Sequence, residues 1–279
     1  MFLQTKAKSR PYQLGTYPLE RLARDDAVIE TESQRPRVPA PAYKTAPDGV
    51  LAGILRDYLN IFVDNSGADP AEFKAPVPDD PHRRMIDIKG YCNFMNASQV
   101  GICRMPDNAW AEGADPLNHS FAIVLVLEQG RLPEADNPAR GWIGPALQEA
   151  ADSRIGGIAV CLAGHIKQLG FIASAHVMGA GCVDMERLAV LAGLAIRRDE
   201  ALINPYFDRD FSISVVTTDY ELETDRPLAL KAWNAKGLAY WLGQSGATSG
   251  RERNRRNSRA THLGDYPMET IKRVEKPTT

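Results

Sequence analysis

The sequence predicts an α/β layer structure, or its α+β variant, with a mixed sheet flanked by helices. Three observations carry this expectation. Strand-like and helix-like segments alternate from about Arg84 onward, Phe121 to Leu127 is an unbroken apolar run, and Pro145 to Gly170 repeats apolar residues at helical spacing. The chain has 279 residues, 44% hydrophobic and 24% charged, which is enough to bury a core and excludes disorder over its whole length. Its 33 basic and 35 acidic side chains leave a formal charge of -2, so no global attraction to nucleic acid or membrane is encoded. The apolar runs fall far short of the ~20 residues that a membrane-spanning helix needs. No nucleic-acid partner and no membrane partner are expected.

Residues 1–81 read as a Pro-rich N-terminal arm with one helix. Pro18 to Asp26 offers a short helical turn, because Leu19 and Leu22 share a face and proline suits a first turn. The clear helix of the arm is Asp48 to Val63, with Asp48 as N-cap and Leu51, Leu55, Tyr58, Leu59 and Phe62 at helical spacing. Residues 82–243 form the α/β domain. Met85 to Ile88 is read as a short strand and Phe121 to Leu127 as the strongest one. In the Pro145 to Gly170 helix, Leu147, Ala150, Ile155, Ile158, Ala159, Leu162, Ile166 and Leu169 make the apolar face, and Gly156-Gly157 is a candidate kink. Phe171 to Met178 and Phe211 to Thr217 follow as strands, with Val183 to Gly193 as a helix starting near Asp184. Leu228 to Leu242 closes the domain as a helix packed through Leu230, Trp233, Leu238 and Trp241.

Residues 244–279 read as a basic linker and the start of a second repeat. Arg251, Arg253, Arg255, Arg256 and Arg259 stand against Glu252 alone, without the interleaved aromatics that single-stranded nucleic-acid binders use. Leu14-Gly-Thr-Tyr-Pro-Leu-Glu-Arg-Leu22 aligns without a gap on Leu263-Gly-Asp-Tyr-Pro-Met-Glu-Thr-Ile271. A match about one domain apart implies a duplicated unit rather than a solenoid.

Screens for chemistry return little. Cys92, Cys103, Cys161 and Cys182 are too dispersed for a disulfide framework, a zinc ribbon or an iron-sulfur run, and reduced thiols suit a cytoplasmic protein. No metal site is expected. Met178-Gly-Ala-Gly-Cys182 has neither the third glycine nor the Lys-Ser/Thr of a phosphate loop. His82, His119, His165, His176 and His262 show no metal-ligand spacing, and Ser120, Ser174 and Ser212 lack a nucleophile-elbow context. Catalytic and cofactor-binding residues are therefore unassigned.

The order of features from 155 to 228 is more telling. Ala159-Val-Cys-Leu-Ala-Gly-His-Ile-Lys-Gln-Leu-Gly-Phe-Ile-Ala-Ser-Ala-His176 is followed by Leu188-Ala-Val-Leu-Ala-Gly-Leu194, Leu202-Ile-Asn-Pro-Tyr-Phe207 and Val215-Val-Thr-Thr-Asp-Tyr-Glu-Leu222. This series resembles cobalamin-dependent reductive dehalogenases and the related epoxyqueuosine reductases, and Arg273 to Thr279 resembles the opening of the family's catalytic region. The resemblance implies a corrinoid-binding type of domain.

The chain also departs from the family. Corrinoid-binding members carry glycines after the "AGLG" element, whereas Ala195-Ile-Arg-Arg-Asp-Glu-Ala201 has none, and Asp208 stands where a glycine would follow the aromatic. The cysteine-rich module expected after the "TD..L" element is replaced by Leu228 to Leu242 and the basic linker. The resemblance and its departures together imply a non-catalytic N-terminal scaffold half of a reductive dehalogenase system. Such a half binds no cofactor itself, supports a cobalamin and iron-sulfur catalytic half supplied in cis or in trans, and is a candidate for homo-oligomer formation. The alternative is a diverged corrinoid-dependent enzyme that binds cobalamin and takes electrons from an external donor. In that case Arg83, Arg84, Lys89, Tyr91 and Arg104 mark the region for a proton donor and anion contacts. A third reading is an unrelated α/β binding protein.

Overall fold

The computed structural model describes residues 11–64, 69–198 and 201–229. The expected helix over 230–242, the basic run and the second repeat copy lie outside them. A four-stranded sheet of order β1-β2-β6-β3 is built from β1 (Gln99–Arg104), β2 (Phe121–Glu128), β3 (Ala173–His176) and β6 (Phe211–Thr218). A separate hairpin pairs β4 (Ile196–Arg198) with β5 (Ala201–Ile203). The helices are α1 (Ala27–Ser33), α2 (Val50–Asp64), α3 (Pro81–Phe94), the single turn α4 (Arg140–Ile143), α5 (Leu147–Gln168) and α6 (Met185–Leu191).

The helix-and-sheet class stands in its α+β form. Each pairing in the main sheet is antiparallel, so the sheet is not mixed in its hydrogen bonding. A helical crossover connection is nevertheless present. β2 and β3 both run antiparallel to β6, so they point the same way, joined through α5 with β6 inserted between them.

β2 is apolar throughout because both of its faces are covered. Phe121, Ile123, Leu125 and Leu127 face a core shared with α3 and α5, while Ala122, Val124 and Val126 face a second core closed by α6, Trp110 and Phe207. Period-two alternation is therefore hidden in the composition, and burial of each large side chain contributes about 1.5–3 kcal/mol.

The Gly156-Gly157 pair lies within α5, which continues through it to Gln168. Its role is to let α2 approach. A Cβ on Gly156 would fall inside van der Waals contact of the Leu59 side chain, and one on Gly157 would meet Phe62 at 3.4 Å. The α2 face is read correctly at Leu59, which is buried, but Tyr58 points outward.

Met85 to Ile88 is helix, not strand, because it lies inside α3. Asp80 caps α3 by accepting from the His82 N–H at 3.0 Å, Pro81 occupies its first turn, and Ile88, Lys89 and Cys92 form its buried face. Pro18 to Asp26 makes only a 3-10 turn at Leu19–Arg21, and the arm's first α-helix is α1. The Val183 to Gly193 segment forms α6, with the Asp184 carboxylate accepting from the Arg187 N–H at 2.9 Å. Leu228 does not start a helix. It forms an isolated antiparallel bridge with Arg24.

Candidate functional site

Three places could host chemistry. The first is the 80–110 region. There Arg83 pairs loosely with Asp87 at 3.8 Å, Arg84 lies 5.4 Å from the Tyr220 ring, and Arg104 lies 5.3 Å from the Phe121 ring. Tyr91 stacks on His165 at 5.0 Å with the rings 10° from parallel. Lys89 Nζ donates to Asp225 Oδ1 at 2.6 Å, while Oδ2 of the same carboxylate accepts from the Ile102 N–H at 2.8 Å. These five side chains do not converge. Lys89 instead ties the segment after β6 to α3, and Asp225 ties the same segment to β1 through Ile102.

The second place is the turn after α6. Gly193 has a φ of 67°, the left-handed region that favours glycine. Its exposed backbone face is filled by this chain's own atoms. Arg24 donates to Gly193 O at 3.1 Å, to Arg226 O at 2.6 Å and to Leu19 O at 2.9 Å. A Cβ added at Gly193 would fall inside contact of both Arg24 and the Arg226 carbonyl. Beyond the turn, Ala195 and Ile196 are buried, and Arg197 pairs with Glu186 at 2.9 Å and Glu32 at 3.4 Å. Asp208 lies in the left-handed region, with φ 56°, and its N–H and carbonyl pair with those of Asn204.

The third place is polar and lies at the edge of the sheet. His176, at the end of β3, and Thr217, on β6, are 2% and 0% exposed. Thr217 Oγ1 is 2.8 Å from His176 Nε2 and 2.7 Å from His119 Nδ1. On the other side of the His176 ring, Nδ1 lies 3.4 Å from the Cys182 N–H and 3.5 Å from Cys182 Sγ. Trp110 packs near both imidazoles, with centroids 6.4 Å from His119 and 6.1 Å from His176. Burial pushes His176 down to about 4, lowers His119 and raises the Cys182 thiol. Each histidine is unremarkable in the sequence. Only the β3–β6 register, with Ser174 opposite Thr217, brings His176 onto the diagonal from that threonine.

The N-terminal arm straps this region. Gly179 N–H donates to Pro41 O at 3.2 Å, Glu112 N–H donates to Val38 O at 2.8 Å, and a Cβ on Gly181 would come 3.0 Å from Pro41. Met178-Gly-Ala-Gly-Cys182 is thus a saddle for the arm. At the strap's end, the Arg56 guanidinium sits 3.8 Å from the Tyr43 ring and donates to Glu149 at 2.8 Å. Beside it, Asp152 accepts from Gln148 at 3.0 Å, and the Ser212 and Tyr43 hydroxyls also bear on its buried carboxylate. Burial raises the Asp152 carboxyl against hydrogen bonds from Ser212 and Gln148 that lower it. A raised folded-state value means that stability is full below the ordinary carboxylate range and is lost as pH rises through the raised value. Asp152→Asn should therefore match the parent in Tm near pH 4 and exceed it by roughly 2–4 °C at pH 7, corresponding to about 1 kcal/mol. Thermal melts at the two pH values check this, and an equal gap at both would contradict it.

Among the described residues, no group of three or more His, Cys, Asp or Glu side chains could hold a metal ion, and no helix is long and apolar enough to cross a membrane. No protein-family model and no curated protein sequence matches the chain. Solved structures do. A reductive dehalogenase structure described in terms of B12-dependent dehalogenation is 36% identical, with a TM-score of 0.74, over 98% of this chain and 38% of its own. The chain is reductive dehalogenase-like. A catabolic reductive dehalogenase in complex with 3-bromo-4-hydroxybenzoic acid is 38% identical, with a TM-score of 0.73 and the same coverage. An epoxyqueuosine reductase aligns over 53% of this chain at 9% identity and a TM-score of 0.40, a likeness too weak to argue from. The reductive dehalogenase-like chain thus spans well under half the length of the dehalogenases it matches.

Proposed function

We infer that this chain acts as a non-catalytic N-terminal scaffold half of a reductive dehalogenase system. It supports a cobalamin and iron-sulfur catalytic half, in cis or in trans, without binding a corrinoid itself. The observation that carries this reading is the filled turn after α6. Arg24, held by three backbone carbonyls, occupies the face of Gly193 that a flat cofactor would need to approach. The residues present do not fit a corrinoid there. The dispersion of Cys92, Cys103, Cys161 and Cys182 supports the same reading, because closely spaced thiolates are what an iron-sulfur cluster requires.

The test is to incubate the full chain with hydroxocobalamin, pass it through gel filtration and record the visible spectrum of the protein peak. A colourless peak is expected. A corrinoid spectrum that travels with the protein would overturn the scaffold reading and favour a diverged corrinoid-dependent enzyme with an external electron donor.

A further inference from the structure

We propose that Cys182, His176 and Thr217 form a nucleophilic thiol site that is alkylated by small neutral carbon electrophiles bearing a leaving group, with His176 as the base. The inference is independent of whether a corrinoid binds. It rests on the direction of the hydrogen bonds around one buried ring.

A backbone N–H can only donate, and that of Cys182 points at His176 Nδ1 from 3.4 Å. Nδ1 is therefore the ring's lone-pair nitrogen, and Nε2 carries the proton. Nε2–H donates to Thr217 Oγ1 at 2.8 Å, and the Thr217 hydroxyl in turn donates to His119 Nδ1 at 2.7 Å. Cys182 Sγ, 3.5 Å from His176 Nδ1, faces a base already oriented by a third group. The thiol is half-buried and His119 is also partly exposed, so both ends of the chain of bonds reach solvent while His176 and Thr217 do not.

At rest both partners are neutral, since burial raises the thiol and holds the imidazole at about 4. The nucleophile forms only as the reaction proceeds. The S–C bond forms, the carbon–leaving-group bond breaks with its electron pair, and the S–H proton passes to His176 Nδ1. His176 then gives its Nε2 proton to Thr217, which passes its own to His119, where burial disfavours the charge and the nearby Asp219 carboxylate offsets part of that cost. No oxidant or reductant is needed, and Thr217 is a positioning residue.

Iodoacetamide labelling of the intact chain, resolved by peptide mass spectrometry, tests this with exposed Cys161 as an internal reference. A thiol that reacts through its thiolate speeds up about tenfold per pH unit below its pKa, and the Cys161 profile measured alongside supplies the comparison. Cys182 should instead react at a rate that changes by less than about twofold over that range, because its base is already neutral throughout. In D2O the Cys182 rate should fall by about half, a measurement that needs no variant. In His176→Asn, the pH-independent rate should drop by at least about tenfold and what remains should rise with pH like Cys161. A wild-type Cys182 rate that follows the slope of Cys161, or a Cys182 that stays unlabelled while Cys161 is consumed, would overturn the proposal.

Discussion

Arg187→Leu should destabilise the chain by about 3–5 kcal/mol, the cost of removing one partner from a buried ion cluster. The Arg187 side chain is fully buried on α6. Its guanidinium donates to the carbonyls of Asn108 and Pro36, and its Nε lies 3.3 Å from Asp184 and 3.9 Å from Glu32. With leucine in its place, Asp184 and Glu32 remain buried without their shared guanidinium, Glu32 keeping Arg197 at 3.4 Å. The arm also loses its anchor at Pro36. Arg187→Lys should recover only part of the loss, because a point charge cannot reach two carbonyls and two carboxylates at once. Urea denaturation at pH 7 measures both variants, and a midpoint for Arg187→Leu within error of the parent would refute the argument.

Gly193→Ala should cost about 2–5 kcal/mol. Roughly 1–2 kcal/mol comes from forcing a Cβ into the left-handed region, and a further ~1–3 kcal/mol from overpacking. The new methyl would meet the Arg24 guanidinium and the Arg226 carbonyl. The guanidinium can be removed and the backbone cannot, which makes a double-mutant cycle informative. Gly193→Ala combined with Arg24→Ala should be less destabilised than the sum of the two single changes, by about 0.5–3 kcal/mol of coupling. Strict additivity in thermal or denaturant unfolding would show that Arg24 does not occupy this turn.

What the residues disclose in advance follows from how locally each element is determined. β2, β6, α5 and α6 are legible because each carries its own signal, either an apolar run, β-branched alternation, helical spacing or the Asp184 cap. β1 is not legible, because Gly101 and Cys103 weaken its strand character. Its glycine is required by tertiary packing, since a Cβ there would come 2.5 Å from Ala192 O. Met85 to Ile88 looks strand-like because three of its four residues are apolar, while the Asp80-Pro81 start signal of the helix lies upstream of it. The β4–β5 hairpin is not legible, because its two strands are only three residues each and the charged Arg197-Arg-Asp-Glu200 run masks any alternation. The polar group at the sheet edge draws residues from positions 119, 176, 182 and 217, and no spacing rule links residues that meet only through strand register.

The pairing of the arm with the segment after β6 has a kinetic and mechanical side. Arg24 bridges to Leu228, Asp25 N–H donates to Pro227 O at 3.1 Å, Ala229 N–H donates to Ala23 O at 2.9 Å, and Arg226 forks onto Asp26. Closing a loop of this length from an open chain is entropically unfavourable, so these contacts form after the sheet has already brought the two segments close. They are the last to assemble and the first to yield. Because the pairing is antiparallel, the two outgoing chains leave on the same side, and tension between them peels the bonds apart one at a time instead of shearing them together. On the arm's side Tyr17 stays tied to Glu128 of β2, so a pull on the segment after β6 opens this seam one bond at a time and takes the cover from Gly193.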